Sequence, residues 1–157
     1  MLDQTTDFAP VSDYLPLIAA GNVASSVKKS ALRRRVLVVD DEALVRWTVT
    51  EVLTAAGYEV LEAHDGKSAI RTIIERHGHL DIVMLDLRLP DSRDLRLLEA
   101  IVQLVPTAAI VLMTAYGTPE LEADALRLGA SSVVAKPFDI MELPPLVASA
   151  LSFRRPS

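Results

Sequence analysis

The amino-acid sequence predicts an α/β fold: a doubly wound sheet of five parallel strands with helices on both faces. Three observations carry this expectation. Short apolar runs such as Val36 to Val39 are continuous rather than alternating, as in strands covered on both sides. Between these runs lie segments whose apolar residues recur at helical spacing. The two patterns alternate five times, which implies parallel strands joined by right-handed crossovers.

Each element can be justified in order. "VLVVD" (36–40) is the first strand, and "EALVRWTVTEVLTAAG" (42–57) a helix with Val45, Val49, Val52, Leu53 and Ala56 on one stripe, closed by Gly57. "YEVLEA" is a short second strand. "GKSAIRTIIERHG" repeats the helical signal at Ala69, Ile70, Ile73 and Ile74. "DIVMLD" is a third strand ending in an acid, and "LRLLEAIVQLV" a helix through Leu98, Ile101, Val102 and Val105. "AAIVLMTA", "PELEADALRLGA", "SVVAKP" and "IMELPPLVASAL" supply the fourth strand and helix and the fifth strand and helix. The last helix carries a difficulty. Asp139 and Glu142 have capping-box spacing, but Pro144 and Pro145 would then remove two helix hydrogen bonds. Either the helix starts at the prolines or its first turn is irregular.

The chain of 157 residues is long enough for one domain with a real core, and half of it is hydrophobic. A net charge of −5 argues against a nucleic-acid surface. There is no cysteine, hence no disulfide framework and no thiolate metal site. No apolar run approaches the roughly 18 residues that span a bilayer. "LPLIAAGNVASSV" makes a poor signal peptide, because the residues before it bring Asp3, Asp7 and Asp13 instead of positive charge. The expectation is a soluble, cytoplasmic protein. Residues 1–33 show no sustained period and are punctuated by Pro10, Pro16, Gly21 and Asn22, so they are expected to form a flexible or loosely docked extension rather than a partner-binding helix. Residues 34–152 form the regular domain and 153–157 a short tail.

In such sheets ligands sit at the carboxyl ends of the strands. Strand one runs into Asp40 and Asp41, strand three ends at Asp86, strand four at Thr114 and strand five at Lys136. Three carboxylates, a hydroxyl and an ammonium therefore share one rim. Like charges held close raise one another's pKa unless a cation sits among them. Hard oxygen ligands of this kind suit Mg2+, and a metal with a lysine can neutralise a phosphoryl group while a carboxylate oxygen attacks phosphorus.

The four pieces "VDDE", "MLDLRLPD", "LMTAYG" and "VAKPF", in this order and each at a strand end, resemble the receiver domain of bacterial two-component response regulators. The resemblance covers roughly residues 34 to 152, and "MTAYGTPE" is most similar to receivers of the NtrC type. It implies the flavodoxin-like (βα)5 fold and a phosphorylation-switched signalling domain rather than an enzyme. It implies that Asp86 accepts a phosphoryl group from a histidine kinase or phosphotransfer protein. Asp41, Asp86 and the backbone carbonyl of Arg88 would ligate Mg2+, with Asp40 acting through water. Thr114 would bond a phosphate oxygen, Lys136 would pair with Asp86 and then with phosphate, and Tyr116 would be the switch aromatic. The bond before Pro137 would be cis. The first helix helps to dock the kinase in this family, which directs attention to Trp47, opposite the apolar stripe and expected to be exposed. A homodimer on activation is a further implication; direct nucleic-acid or membrane contact is not.

Plainer readings stand beside these. An acid pair before a helix is commonly a cap, Thr114 an ordinary strand-end hydroxyl and Lys136 a solvated charge. His64, His77 and His79 are expected at the surface, without ligand spacing to the rim. Asp94 stands where the family usually has glycine, with a small change of loop geometry expected. A constitutive pseudo-receiver is opposed by the complete acid, threonine and lysine set. A phosphatase of the haloacid dehalogenase class would need a second acid two residues after its nucleophile, where Arg88 stands.

Overall fold

In the computed structural model of the protein, residues 9–19 and 33–153 are described. Five parallel strands form one sheet in the order β2-β1-β3-β4-β5: β1 Arg35–Val39, β2 Glu59–Ala63, β3 Ile82–Asp86, β4 Ala109–Thr114 and β5 Ser132–Ala135. The order reverses between β1 and β3, which leaves a crevice beyond their carboxyl ends. The helices are α1 Val11–Ala19, α2 Ala43–Ala55, α3 Gly66–Glu75, α4 Arg96–Leu104, α5 Pro119–Leu128 and α6 Leu143–Ser152.

The continuous apolar strands supply two cores. Val36 and Val38 of β1, with Ile82, Met84, Val111 and Met113, pack against α2 and α6 through Val49, Leu53, Leu143 and Val147. Leu37 and Val39, with Val83, Leu85, Ile110 and Leu112, face α3, α4 and α5 through Ile70, Ile73, Leu98, Ile101 and Ala125. Successive side chains of a strand point to opposite faces, so an uninterrupted apolar run is what two layers of helices demand. Truncating a fully buried residue such as Leu37 to alanine costs about 2–5 kcal/mol.

Local signals set the helix ends. Asp65 accepts the Ser68 N–H, and the Ser68 hydroxyl reaches back, forming a capping box for α3. Thr118 caps α5 by accepting the Leu121 N–H at 3.1 Å, Pro119 follows it, and Gly129 ends the helix at φ +119°. At the fifth expected helix both anticipated irregularities occur together. A short 3-10 turn spans Ile140–Glu142, with the Asp139 side chain accepting the Met141 N–H, and α6 begins next to the prolines, where their missing N–H groups cost nothing. Asp94 accepts the Arg96 N–H at 2.9 Å just before α4, whose cap position is Leu95, and has no positive φ.

Within the expected extension, residues 1–33, of which 1–8 and 20–32 lie outside the described residues, Val11–Ala19 form helix α1. Val11, Tyr14 and Ile18, spaced i, i+3 and i+7, pack against the core beside α3 and α4. Pro16 within the helix disguised this period, since proline ordinarily breaks one. Tertiary packing compensates for the lost bond, as it must for a helix of nine residues. Among the described residues no helix is long and apolar enough to cross a membrane.

Candidate functional site

The carboxyl ends of the strands bring the expected residues together. Asp40 is wholly buried at the tip of β1, Asp86 is nearly so at the end of β3, and Asp41 faces solvent. One oxygen from each lies within 4.8 Å of the others. Lys136 Nζ, beyond β5, is 2.6 Å from Asp40 Oδ2 and 3.4 Å from Asp86 Oδ2, with Glu42 Oε1 at 3.7 Å. The lysine thus sits closer to Asp40 than to the Asp86 partner that sequence reasoning singled out. The peptide bond between Lys136 and Pro137 is cis.

Backbone bonds hold these groups in register. Asp40 N–H donates to Ala63, Leu87 N–H to Met113 and Lys136 N–H to Thr114, so each strand end leans on its neighbour. Arg88 N–H donates to Asp86 Oδ1 at 3.2 Å. Thr114 is buried, and its Oγ1 accepts the Tyr116 N–H at 3.2 Å. That acceptor role leaves the hydroxyl proton free to be donated.

The acids are not helix caps. Glu42 occupies the cap position of α2 and makes no side-chain capping bond, while Asp40 Oδ1 takes only the Glu42 N–H, at 2.9 Å.

Charge in this crevice is under strain. Burial, and then the neighbouring Asp40, push the Asp86 carboxyl up to about 6, although Lys136 and the Arg88 N–H pull the other way. For Lys136 burial alone would lower the pKa. Its bond to Asp40 and the attraction of Asp40, Asp86 and Glu42 outweigh burial, so its pKa is raised. One ammonium among three aspartates leaves a negative excess lined by hard oxygens, which fits a small divalent cation. The donor set matches the expected metal.

Tyr116 is 70 % exposed and lies beneath Arg88, whose Cζ is 4.8 Å from the ring centroid. Trp47 on α2 is 58 % exposed, as expected of its place opposite the apolar stripe. The three histidines are exposed and outside the carboxylate group. Arg46 escaped sequence reasoning. Its Nη1 donates to the Asp40 carbonyl at 2.7 Å and its Nε lies 3.3 Å from Glu62, fastening α2 to β1 and β2. Only its place one turn after Glu42 could have hinted at this, and many surface arginines share that spacing.

The response regulator receiver domain profile matches residues 36–148. The chain belongs to that family. The receiver is 33% identical over 146 residues to the chemotaxis protein CheY of Treponema pallidum, covering 92% of this chain and 96% of that protein. It is 34% identical over 120 residues to the regulatory protein AtoC of Escherichia coli, covering 76% of this chain and 26% of AtoC. The chain therefore spans about a quarter of AtoC and nearly all of CheY. Among solved structures, the CheX-CheY-BeF3-Mg complex of Borrelia burgdorferi is matched with a TM-score of 0.69 and 28% identity, over 74% of this chain and 87% of that one. Receiver domains are phosphorylation-switched signalling modules rather than a catalytic enzyme family. They bind Mg2+ at an acidic pocket and work with histidine kinases and phosphotransfer proteins.

Proposed function

We propose that this receiver takes a phosphoryl group on Asp86. The observation that carries the reading is the placement of Asp86 at the tip of β3, within reach of both the Lys136 ammonium and two further carboxylates. A carboxylate oxygen of Asp86 attacks phosphorus of a phosphohistidine, the P–N bond breaks, and the imidazole leaves. Asp41, Asp86 and the Arg88 carbonyl would hold Mg2+ directly and Asp40 through water. When bound, the metal offsets the negative charge of the phosphoryl oxygens. Lys136 neutralises the same charge from the β5 side, and Thr114 donates its hydroxyl to a phosphoryl oxygen.

Because Thr114 Oγ1 also holds the Tyr116 N–H, its movement toward phosphate draws on the Tyr116 backbone. Tyr116 is thus the switch aromatic, and α5 the element it biases. The donor is a sensor kinase or phosphotransfer protein that meets α2 at Trp47. An activated homodimer across α5 is the output in this reading, with no direct contact to nucleic acid.

Acetyl phosphate with Mg2+ should add a single phosphoryl group, labile to base and to hydroxylamine. Normal labelling of Asp86→Asn, or a rate unchanged by chelation of Mg2+, defeats the proposal.

A further inference from the structure

One carboxylate beside the site has no part in the chemistry above, yet it is tightly held. Asp91, in the loop after β3, accepts the backbone N–H of Gly66 through Oδ1 at 2.7 Å and that of Lys67 through Oδ2 at 2.9 Å. Asp65 takes the next one, from Ser68, at 2.7 Å. Two carboxylates thus satisfy three N–H groups that a first helical turn leaves without partners, at the end where negative charge is favoured. Asp65 is the local cap. Asp91 lies 25 residues from Gly66, so its bonds tie one segment of the chain to another.

Asp91 also sits in a closed turn. Leu89 N–H donates to the Ser92 carbonyl at 2.8 Å and Ser92 N–H to the Leu89 carbonyl at 3.3 Å, with Pro90 fixing the second position. Leu89 and Ser92 are buried. The bond from Leu89 has a consequence one atom away. In a planar trans peptide the carbonyl and the N–H point in opposite directions, so anchoring Leu89 N–H sets the direction of the Arg88 carbonyl. That carbonyl is the backbone ligand in the proposed metal site. The anchor for the turn is itself fixed, because Gly66, Ala69, Ile70 and Ile73 of α3 are buried and α1 packs along it.

We infer that Asp91 is a positioning residue. By clamping the Leu89–Ser92 turn to the first turn of α3, it holds the Arg88 carbonyl toward the acidic rim and so sets the affinity of that rim for a divalent cation. The inference rests on the reading of Asp86, Asp41 and Arg88 given above. Its chemistry resembles that of outer-shell partners elsewhere, whose loss costs about 10–100-fold in metal affinity.

The test compares three full-length variants by Mg2+ calorimetry and amide exchange. Asp91→Ala should weaken Mg2+ binding by about tenfold and speed exchange at Leu89 and at 66–68. Asp91→Asn retains one carbonyl acceptor, so it should fall between Asp91→Ala and the parent; it also carries the test if the alanine variant does not fold. Asp81→Ala is the control. Asp81 accepts the Arg35 N–H at 2.8 Å and pairs with Arg34 at the amino ends of β1 and β3, the opposite end of the strands from the rim, so its loss should lower stability while leaving Mg2+ affinity unchanged. Parental Mg2+ affinity in both Asp91 variants overturns the inference. If the parent protein itself binds no Mg2+, the reading of the acidic rim falls, and the inference with it.

Discussion

The guanidinium of Arg88 lies 4.8 Å above the ring of Tyr116, joining the residue two beyond Asp86 to the residue two beyond Thr114. Both side chains are exposed, and they meet where the loops after β3 and β4 flank the acidic rim. An exposed cation–π pair is worth about 0.5–1 kcal/mol, enough to favour a closed cover without locking it.

The lifetime of the phosphorylated state should depend on that cover. If the pair shields phosphorus from water, Arg88→Ala or Tyr116→Ala should speed loss of phosphate by about two- to fivefold, the rate equivalent of one such contact. Phosphate release from the labelled protein, followed after removal of the donor, measures it. No change in the double variant would mean that water reaches phosphorus by another route.

Stability should fall as pH rises through the acid range when metal is absent. The Asp86 pKa is raised from 3.8 to about 6, so the folded state holds this proton more firmly than the unfolded chain. The resulting stabilisation is full below about pH 4 and is lost as pH climbs through 6, a change of about 3 kcal/mol at most. Lys136, also raised, contributes stability that is lost only above its ordinary 10.5, outside this window. Urea midpoints between pH 4 and 8 with chelator should therefore decline for the parent. They should decline less for Asp86→Asn, which ought to be the more stable protein at pH 8, and Mg2+ should restore the parent alone.

Kinase recognition should be separable from phosphoryl chemistry. Trp47 and Leu44 are both exposed on α2. Trp47→Ala should slow transfer from the cognate kinase while sparing labelling by acetyl phosphate. Equal effects on both reactions would make Trp47 a structural residue.

Transmission should concentrate in residues 114–129. Ala125 is the one buried residue of α5, and Glu120, Glu122 and Asp124 crowd its first turns, so few contacts resist its movement. Gly117 leaves Thr114 its space, since a Cβ there would come within 3.2 Å of Thr114 Cγ2. Beryllofluoride with Mg2+ should alter amide exchange across this segment, and Gly117→Ala should blunt the response. Changes confined to Asp41, Asp86 and Lys136 would show a site that binds phosphate without signalling through α5.

Helix α1 should be energetically coupled to the domain through Gly78. That residue has φ +71°, and a Cβ on it would meet Ile18 Cγ2 at 3.0 Å. Gly78→Ala should cost about 1–2 kcal/mol from its left-handed backbone alone, and more while Ile18 is in place. In a double-mutant cycle its cost should shrink when Ile18 is alanine. Strictly additive costs would show that α1 does not seat against this turn in solution.

The sequence alone determined the alternation of strands and helices, the two-sided core and the strand tips at Asp40, Asp86, Thr114 and Lys136. These are properties of short windows: an apolar run buried on two faces has to be continuous, and a parallel sheet has to present its carboxyl ends together. What tertiary structure decided is which groups meet across those windows. Lys136 chose Asp40 at 2.6 Å over Asp86, Arg46 reached the Asp40 carbonyl, and Asp91 crossed to α3, each through a side chain oriented by packing and not by its neighbours in sequence. The same holds for α1. Its Pro16 argued locally against a helix, and only the apolar ground offered by α3 and α4 made Val11, Tyr14 and Ile18 worth ordering.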